Sequence, residues 1–466
     1  MIDVAGVGAY RCVARVCVGK TRQRIARYNR LDRGRKNMKY LLAAVLLVSA
    51  LAFADSRQTA PRVDAALAQA RREHVPVFVD FQAQWCYSCY FMATHVLNGP
   101  EWEKLGKRMH AIEVDADSPD GAAWMKKLAI KALPSYVVLK ADGSELGRIT
   151  AEQSREKFYP ALERILAGSD SLDALKAKGS AAAIAEVLAI YEARNEIDAG
   201  LNWYAGLADA QHKAVEAHPR AVFALERLRM EQAAHSENTQ GCVAAAQRAL
   251  SADAGCERVY VLEQLVDCSE KLPQPERKSV LAAQRPALNS LLDKQVFVEP
   301  AQCADQRTSV LVAADLAKAI GDKTAETAAL DRGIADARRR LGENYGKDRN
   351  LADNLRVYLT RAERFDELDT LYPKLMAAYP DDYVYAYRYG GSLLKRGKPA
   401  QALPYLEQAA QKTFGANRLA VATLRVQTLL ALNRRDDAEK VVADALEANG
   451  PWFPEAAAKL KAALKG

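Results

Sequence analysis

Two cysteines, Cys86 and Cys89, stand three apart in FVDFQAQWCYSCYF, residues 78–91. That spacing can serve three chemistries: a redox pair, half of a metal site, or two buried thiols. An acid, Asp80, lies six residues ahead of Cys86 inside an apolar run, and Leu133-Pro134 stands just ahead of a second apolar run. A thiolate is the reactive form of cysteine, and a helix N-terminus stabilises it through its partial positive charge and free N–H groups. The elements around the pair therefore decide among the three.

Residues 61–73 are Ala-rich and charged and predict a helix with Pro61 near its start. VPVFVDF predicts a strand, and Cys86 to Leu97 a helix that opens on the first cysteine. HAIEVDA (110–116) is a strand, 120–129 a helix, and SYVVLK (135–140) a strand. Asp142-Gly143 signals a tight turn before the strand ELGRIT, and 152–167 predict a last helix. The order β-α-β-α-β-β-α specifies a mixed sheet with helices on both faces.

Three local features now coincide: WCYSC between a strand and a helix, Asp80 six residues upstream, and Leu133-Pro134 before a strand. On these, residues 61–168 resemble a thioredoxin-fold domain, and within that superfamily the C-terminal periplasmic domain of the transmembrane thiol-disulfide interchange protein. The resemblance covers about a quarter of the chain. It implies a cis Pro134 beside Cys86, with adjacent backbone offered to an extended substrate, and Trp85 at the rim. Trp85, Tyr87 and Leu133 become substrate-binding candidates. Cys86 is the nucleophile and Cys89, one turn on, the thiol that resolves the mixed disulfide. Asp80, buried below them with its pKa raised by desolvation, would carry the proton of Cys89. No cofactor is implied beyond the Cys86–Cys89 disulfide.

A zinc site needs about four ligands. There is no second CxxC, the later cysteines are scattered over 242–303, and His95 reads as a surface or packing residue, so no metal is expected. The chain departs from its relatives where Tyr90 replaces a lysine after the second cysteine, and no basic partner for the buried acid is evident. Tyr87-Ser88 contains no histidine, unlike strongly oxidising relatives, which points toward reduction or electron relay.

The formal charge of +8 suggests nucleic acid until it is located. Residues 1–37 hold ten Lys/Arg and two Asp, and the remaining 429 residues hold 56 charges of each sign. The body has no net attraction for phosphate, so no nucleic-acid partner is expected. From Met38, MKYLLAAVLLVSALAFA presents a basic start, an apolar stretch too short to span a bilayer, and Ala52-Phe53-Ala54 as a cleavage signal. The expectation is a signal peptide over 38–54, a preceding extension over 1–37 translated from a start ahead of the natural one, and a periplasmic or secreted protein with no stable membrane insertion after cleavage. An uncleaved anchor is the alternative.

Beyond a linker at 169–180 the strand signal vanishes. Residues 181–466 are rich in Ala, Leu, Glu, Lys and Arg with helical periodicity. Gly390, Gly397, Ala402 and Ala409 have the small-residue spacing of tetratricopeptide repeats. The chain thus divides into a thioredoxin-like domain (55–168), helical hairpins (181–346) and tetratricopeptide-like repeats (347–466) with a capping helix from Pro454. The fold class is an α/β thioredoxin-fold domain followed by an all-α helical-repeat domain. Such arrays expose concave surfaces that bind peptide or protein, although the tyrosines of DDYVYAYRYGG are expected to pack between repeats.

Four cysteines remain, and in an exported chain they are expected to pair. Cys242 opens a helix at about 241–252, Cys256 opens the next, Cys268 lies near the end of that second helix, a further helix spans about 276–294, and Cys303 opens the one after it. In an antiparallel hairpin the start of one helix lies beside the end of the next, which pairs Cys242 with Cys268. The alternation then leaves Cys256 on the same side as Cys303. Two functions follow: a thiol-disulfide oxidoreductase acting on protein thiols and disulfides, its repeats holding a partner, or a redox-inert repeat scaffold.

Overall fold

The computed structural model describes residues 62–168, 171–252 and 254–465, so the leader and extension lie outside the described residues. The α/β part runs α1 (Arg62–Glu73), β1 (Val77–Gln82), α2 (Tyr87–Phe91, continued by a π-turn Met92–Val96), α3 (Gly99–Gly106), β2 (His110–Asp115), α4 (Pro119–Lys127), β3 (Ser135–Leu139), β4 (Glu145–Thr150) and α5 (Arg155–Leu166). The sheet order is β2-β1-β3-β4, with β1 parallel to β2 and antiparallel to β3. Alternation along β1 divides the core. Val77, Val79 and Phe81 meet Val63, Leu67 and Trp124 of α1 and α4, while Phe78 meets Met92, Tyr136 and Phe158 on the other face. Asp80 shares the face of Phe78, the face that carries α2.

This is the expected thioredoxin-like α/β order with one addition, α3, opened by Gly99-Pro100. The expected linker also carries structure. Ser171 caps a helix Leu172–Lys178 by accepting from the Ala174 N–H, Leu175 is buried, and Gly179 ends the helix in a left-handed conformation.

From Ala181 onward the chain is helical throughout. The helix expected at 276–294 is two, Gln274–Ala282 and Arg285–Leu291, because Pro286 supplies no N–H to the preceding turn. Helices Val384–Lys395 and Pro399–Ala410 form a close pair: a Cβ on Gly390 would stand 2.6 Å from Leu406 Cγ. Tyr383, Tyr385 and Tyr389 are buried, and Tyr389 stacks on Tyr372 at 4.6 Å. Cys242 is bonded to Cys268 and Cys256 to Cys303, with Cα separations of 6.1 and 5.3 Å.

The helices curl around the α/β part. Ala193 accepts from Arg148 at 3.1 Å, Asp348 meets His95 at 3.0 Å, and the Ala416 N–H donates to the Asp117 carbonyl at 3.1 Å. Gly415 has φ +54°, and a Cβ there would lie 1.9 Å from that same carbonyl, so only glycine lets the two parts meet. No described helix is long and apolar enough to cross a membrane.

Candidate active site

Cys86 is the N-cap of α2, and its sulfur accepts from the Cys89 N–H at 3.2 Å. The two are disulfide-bonded, with Cα atoms 5.3 Å apart. Leu133, in a cis bond to Pro134, packs on Ala83, Cys86 and Cys89. The proline loop is held from both sides: the Pro134 carbonyl accepts from the Ala151 N–H at 3.0 Å, and the Ser135 hydroxyl donates to Ala132 at 2.8 Å.

Asp80 is buried, and its Oδ1 has no hydrogen-bond partner. Its cross-strand neighbours are Glu113 on β2 and Tyr136 on β3. Burial, and then the negative charge of Glu113, push its pKa up to about 8. A carboxyl group that titrates there can take and return a proton near neutrality.

The sequence did not reveal what surrounds the pair. Trp85 is 40% exposed, and its indole N–H donates to Asp117 at 2.9 Å. Burial, then nearby Asp115, raise Asp117 to about 6, against the opposing hydrogen bonds from Asn417 and Trp85. Arg388 donates to the Trp85 carbonyl at 3.0 Å and to Asp353 at 2.6 Å. Burial opposes the charge of Asp353, yet Arg356 and then Arg388 hold it well below the carboxylate range. Asn350 donates to the Tyr87 carbonyl at 3.0 Å, and the Arg307 guanidinium lies 2.9 Å from the Tyr87 ring centre. Arg349 lies 3.8 Å from the ring centre of Tyr90, the residue that stands where a lysine was looked for.

Tyr87 is half-buried, its carbonyl and one face of its ring held by the chain's own helices. Cys86 itself is only 3% exposed. Glu152 is buried with a pKa raised well above the ordinary range, by burial first and by Asp305 next, and it contacts Ser88 inside the motif. Arg307, Asn350, Arg388 and Glu152 carried no local signal, since each is an ordinary helix or loop residue in its own stretch. Among the described residues no group of three or more His, Cys, Asp or Glu could hold a metal ion.

Sequence comparisons match both parts of the chain to known families. Residues 58–141 match the thioredoxin-like family and residues 393–464 the tetratricopeptide repeat. The thiol:disulfide interchange protein DsbD of Neisseria meningitidis is 34% identical over 110 residues, which is 23% of this chain and 18% of that protein. A chloroplastic thioredoxin Y of Oryza sativa is 30% identical over 92 residues, 19% of this chain and 52% of that one. The oxidised C-terminal domain of the Neisseria meningitidis DsbD, a crystal structure, is 32% identical and covers 23% of this chain and 96% of its own, with a TM-score of 0.21. The chain spans about a fifth of the DsbD proteins it matches. It carries a thioredoxin-like domain related to the C-terminal domain of DsbD, with a redox-type disulfide at Cys86–Cys89, joined to a helical region that ends in tetratricopeptide repeats.

Proposed function

We infer that the protein is an exported thiol-disulfide oxidoreductase that reduces, or relays electrons to, protein disulfides. The observation that carries this reading is the Cys86–Cys89 disulfide at the N-terminus of α2, with Asp80 buried on the face below and the Pro134 loop alongside. In the reduced protein, the Cys86 thiolate attacks one sulfur of a partner disulfide. That S–S bond breaks, a Cys86–partner bond forms, and the second partner sulfur leaves as a thiolate. Cys89 loses its proton to the Asp80 carboxylate and attacks Cys86 Sγ. The mixed disulfide breaks, one partner sulfur takes the proton back from Asp80 and the other takes one from water, two electrons remain on the partner as a dithiol, and Cys86–Cys89 is left oxidised. A dithiol reductant must then recharge the pair. The missing histidine in Tyr87-Ser88 supports the reducing direction.

Export is supported by the leader pattern at 38–54 and by the Cys242–Cys268 and Cys256–Cys303 bonds, which persist in oxidising compartments. The burial of Cys86 favours a second reading, in which the helices use a redox-inert α/β part as an adaptor. Insulin reduction by dithiothreitol separates the two. Acceleration by the wild type that Cys86→Ser abolishes supports the oxidoreductase; equal rates with both proteins support the scaffold.

A further inference from the structure

Among the described residues two large apolar side chains are exposed: Trp85 at 40% and Trp452 at 63%. They belong to opposite ends of the chain, yet both line one cleft of about 1220 Å³ between the α/β part and the last helices. Solvated tryptophans in one concavity mark a binding site more often than an accident of surface. The cleft is preformed. Its two walls are joined where Ala416 and Asn417 bond Asp117, which in turn holds the Trp85 indole. A ligand then does not need to order the walls.

The rim has a sign. Lys126, Lys131 and Lys459 are exposed and make no ion pair among the described residues. Glu455 is the one exposed acid on the lining, since Asp117 is buried and engaged with Trp85 and Asn417. Arg388, also on the lining, is held by Asp353. The cleft also has an address. Trp85 immediately precedes Cys86, and Lys131 lies three residues before Pro134.

We propose that this cleft docks an acidic, extended segment of the protein whose cysteines exchange with Cys86, with an aromatic or aliphatic side chain of that segment against Trp85 and Trp452. What reaches Cys86 rests on the oxidoreductase reading; the charge preference of the cleft does not. The chain's own residues 1–37 are the wrong occupant, because they carry the whole +8 excess. A second copy has no electrostatic reason to settle there, because the rest of the chain is neutral overall.

The test is calorimetric titration of the full-length oxidised protein with two twelve-residue peptides. Each has a central leucine and a serine in place of cysteine, one flanked by glutamates and the other by lysines. The acidic peptide is expected to bind at least about tenfold more tightly at low salt, with the gap shrinking as salt rises. Lys126→Glu/Lys131→Glu/Lys459→Glu should erase or invert that preference, and Trp452→Ala should weaken binding of the acidic peptide. Lys213→Glu/Lys278→Glu/Lys318→Glu, an equal charge change on exposed residues outside the cleft, should retain the preference. Equal binding of both peptides, or a preference that survives the cleft reversal, overturns the proposal. Oxidation of dithiothreitol by the Cys86–Cys89 disulfide is measured on the same samples. No turnover with an intact peptide preference defeats the oxidoreductase reading alone, and turnover without preference defeats the cleft proposal alone.

Discussion

Asp80 is held protonated where an exposed aspartate would be charged. Its pKa in the folded chain, about 8, lies above the ordinary value of 3.8, so between those pH values the folded protein binds more protons than the unfolded one. Stability then falls as pH rises from about 4 toward 8. Asp80→Asn should flatten that slope and stabilise the oxidised protein at pH 8 by on the order of 2–4 kcal/mol, read from denaturant midpoints at several pH values. The same substitution should slow resolution of the mixed disulfide and remove its rise with pH near 8, read by stopped-flow with a model disulfide. An unchanged pH profile would remove Asp80 from the proton path. The placement of Asp80, Cys86, Cys89 and Pro134 was legible because it is local: strand, turn, helix start and proline loop all lie in stretches that the sequence patterns clearly.

At the level of elements, the Gly415 turn meets the Asp117 carbonyl so closely that a Cβ would clash, and there the two parts join. Gly415→Ala forces a side chain into a left-handed backbone and against a carbonyl, and is expected to destabilise by about 2–4 kcal/mol and to loosen the start of helix Gly415–Ala431. Hydrogen exchange at Ala416 and around Asp117 would record it; unchanged protection there would mean that the turn relaxes freely. The paired cysteines work at the same scale. Cys242→Ser/Cys268→Ser opens a loop of separation 26 and is expected to lower stability by about 2–4 kcal/mol, measured by urea unfolding with Cys86–Cys89 kept oxidised. That pairing could be argued from helix alternation alone, although Cys256 lies in a short 3-10 turn and Cys303 in the loop before helix Gln306–Ala319, not in helix starts. Helix α3 escaped because a short segment opened by glycine and proline looks like a turn until Trp102 is seen to pack edge-on against Phe78 at 5.3 Å.

At the scale of the whole molecule, the redox motif is enclosed by the array that follows it. Asp353, Arg356 and Arg388 form a buried cluster whose outer member grips the Trp85 carbonyl. Arg388→Ala removes that grip and leaves Arg356 as the hydrogen-bonding partner of Asp353. Alkylation of reduced Cys86 by a bulky maleimide is expected to accelerate severalfold, while a small reagent such as iodoacetamide changes less. Equal acceleration with both reagents would point to altered thiol chemistry instead of altered access. None of this enclosure was legible. Asn350 lies 263 residues from Tyr87 and Arg388 lies 303 from Trp85, and no periodicity within a helix reports which distant backbone its polar end will meet. The helices were readable as helices; what they wrap was not.

That separation has a consequence in time. Domains fold as units during synthesis, which proceeds at roughly 5–20 residues per second, so the 303 residues between Trp85 and Arg388 correspond to roughly 15–60 s. Through that interval a nascent chain holds a thioredoxin-like part whose sulfurs lack their cover. On that timing the cover over Cys86 and Cys89 is completed only once Arg388 has been made.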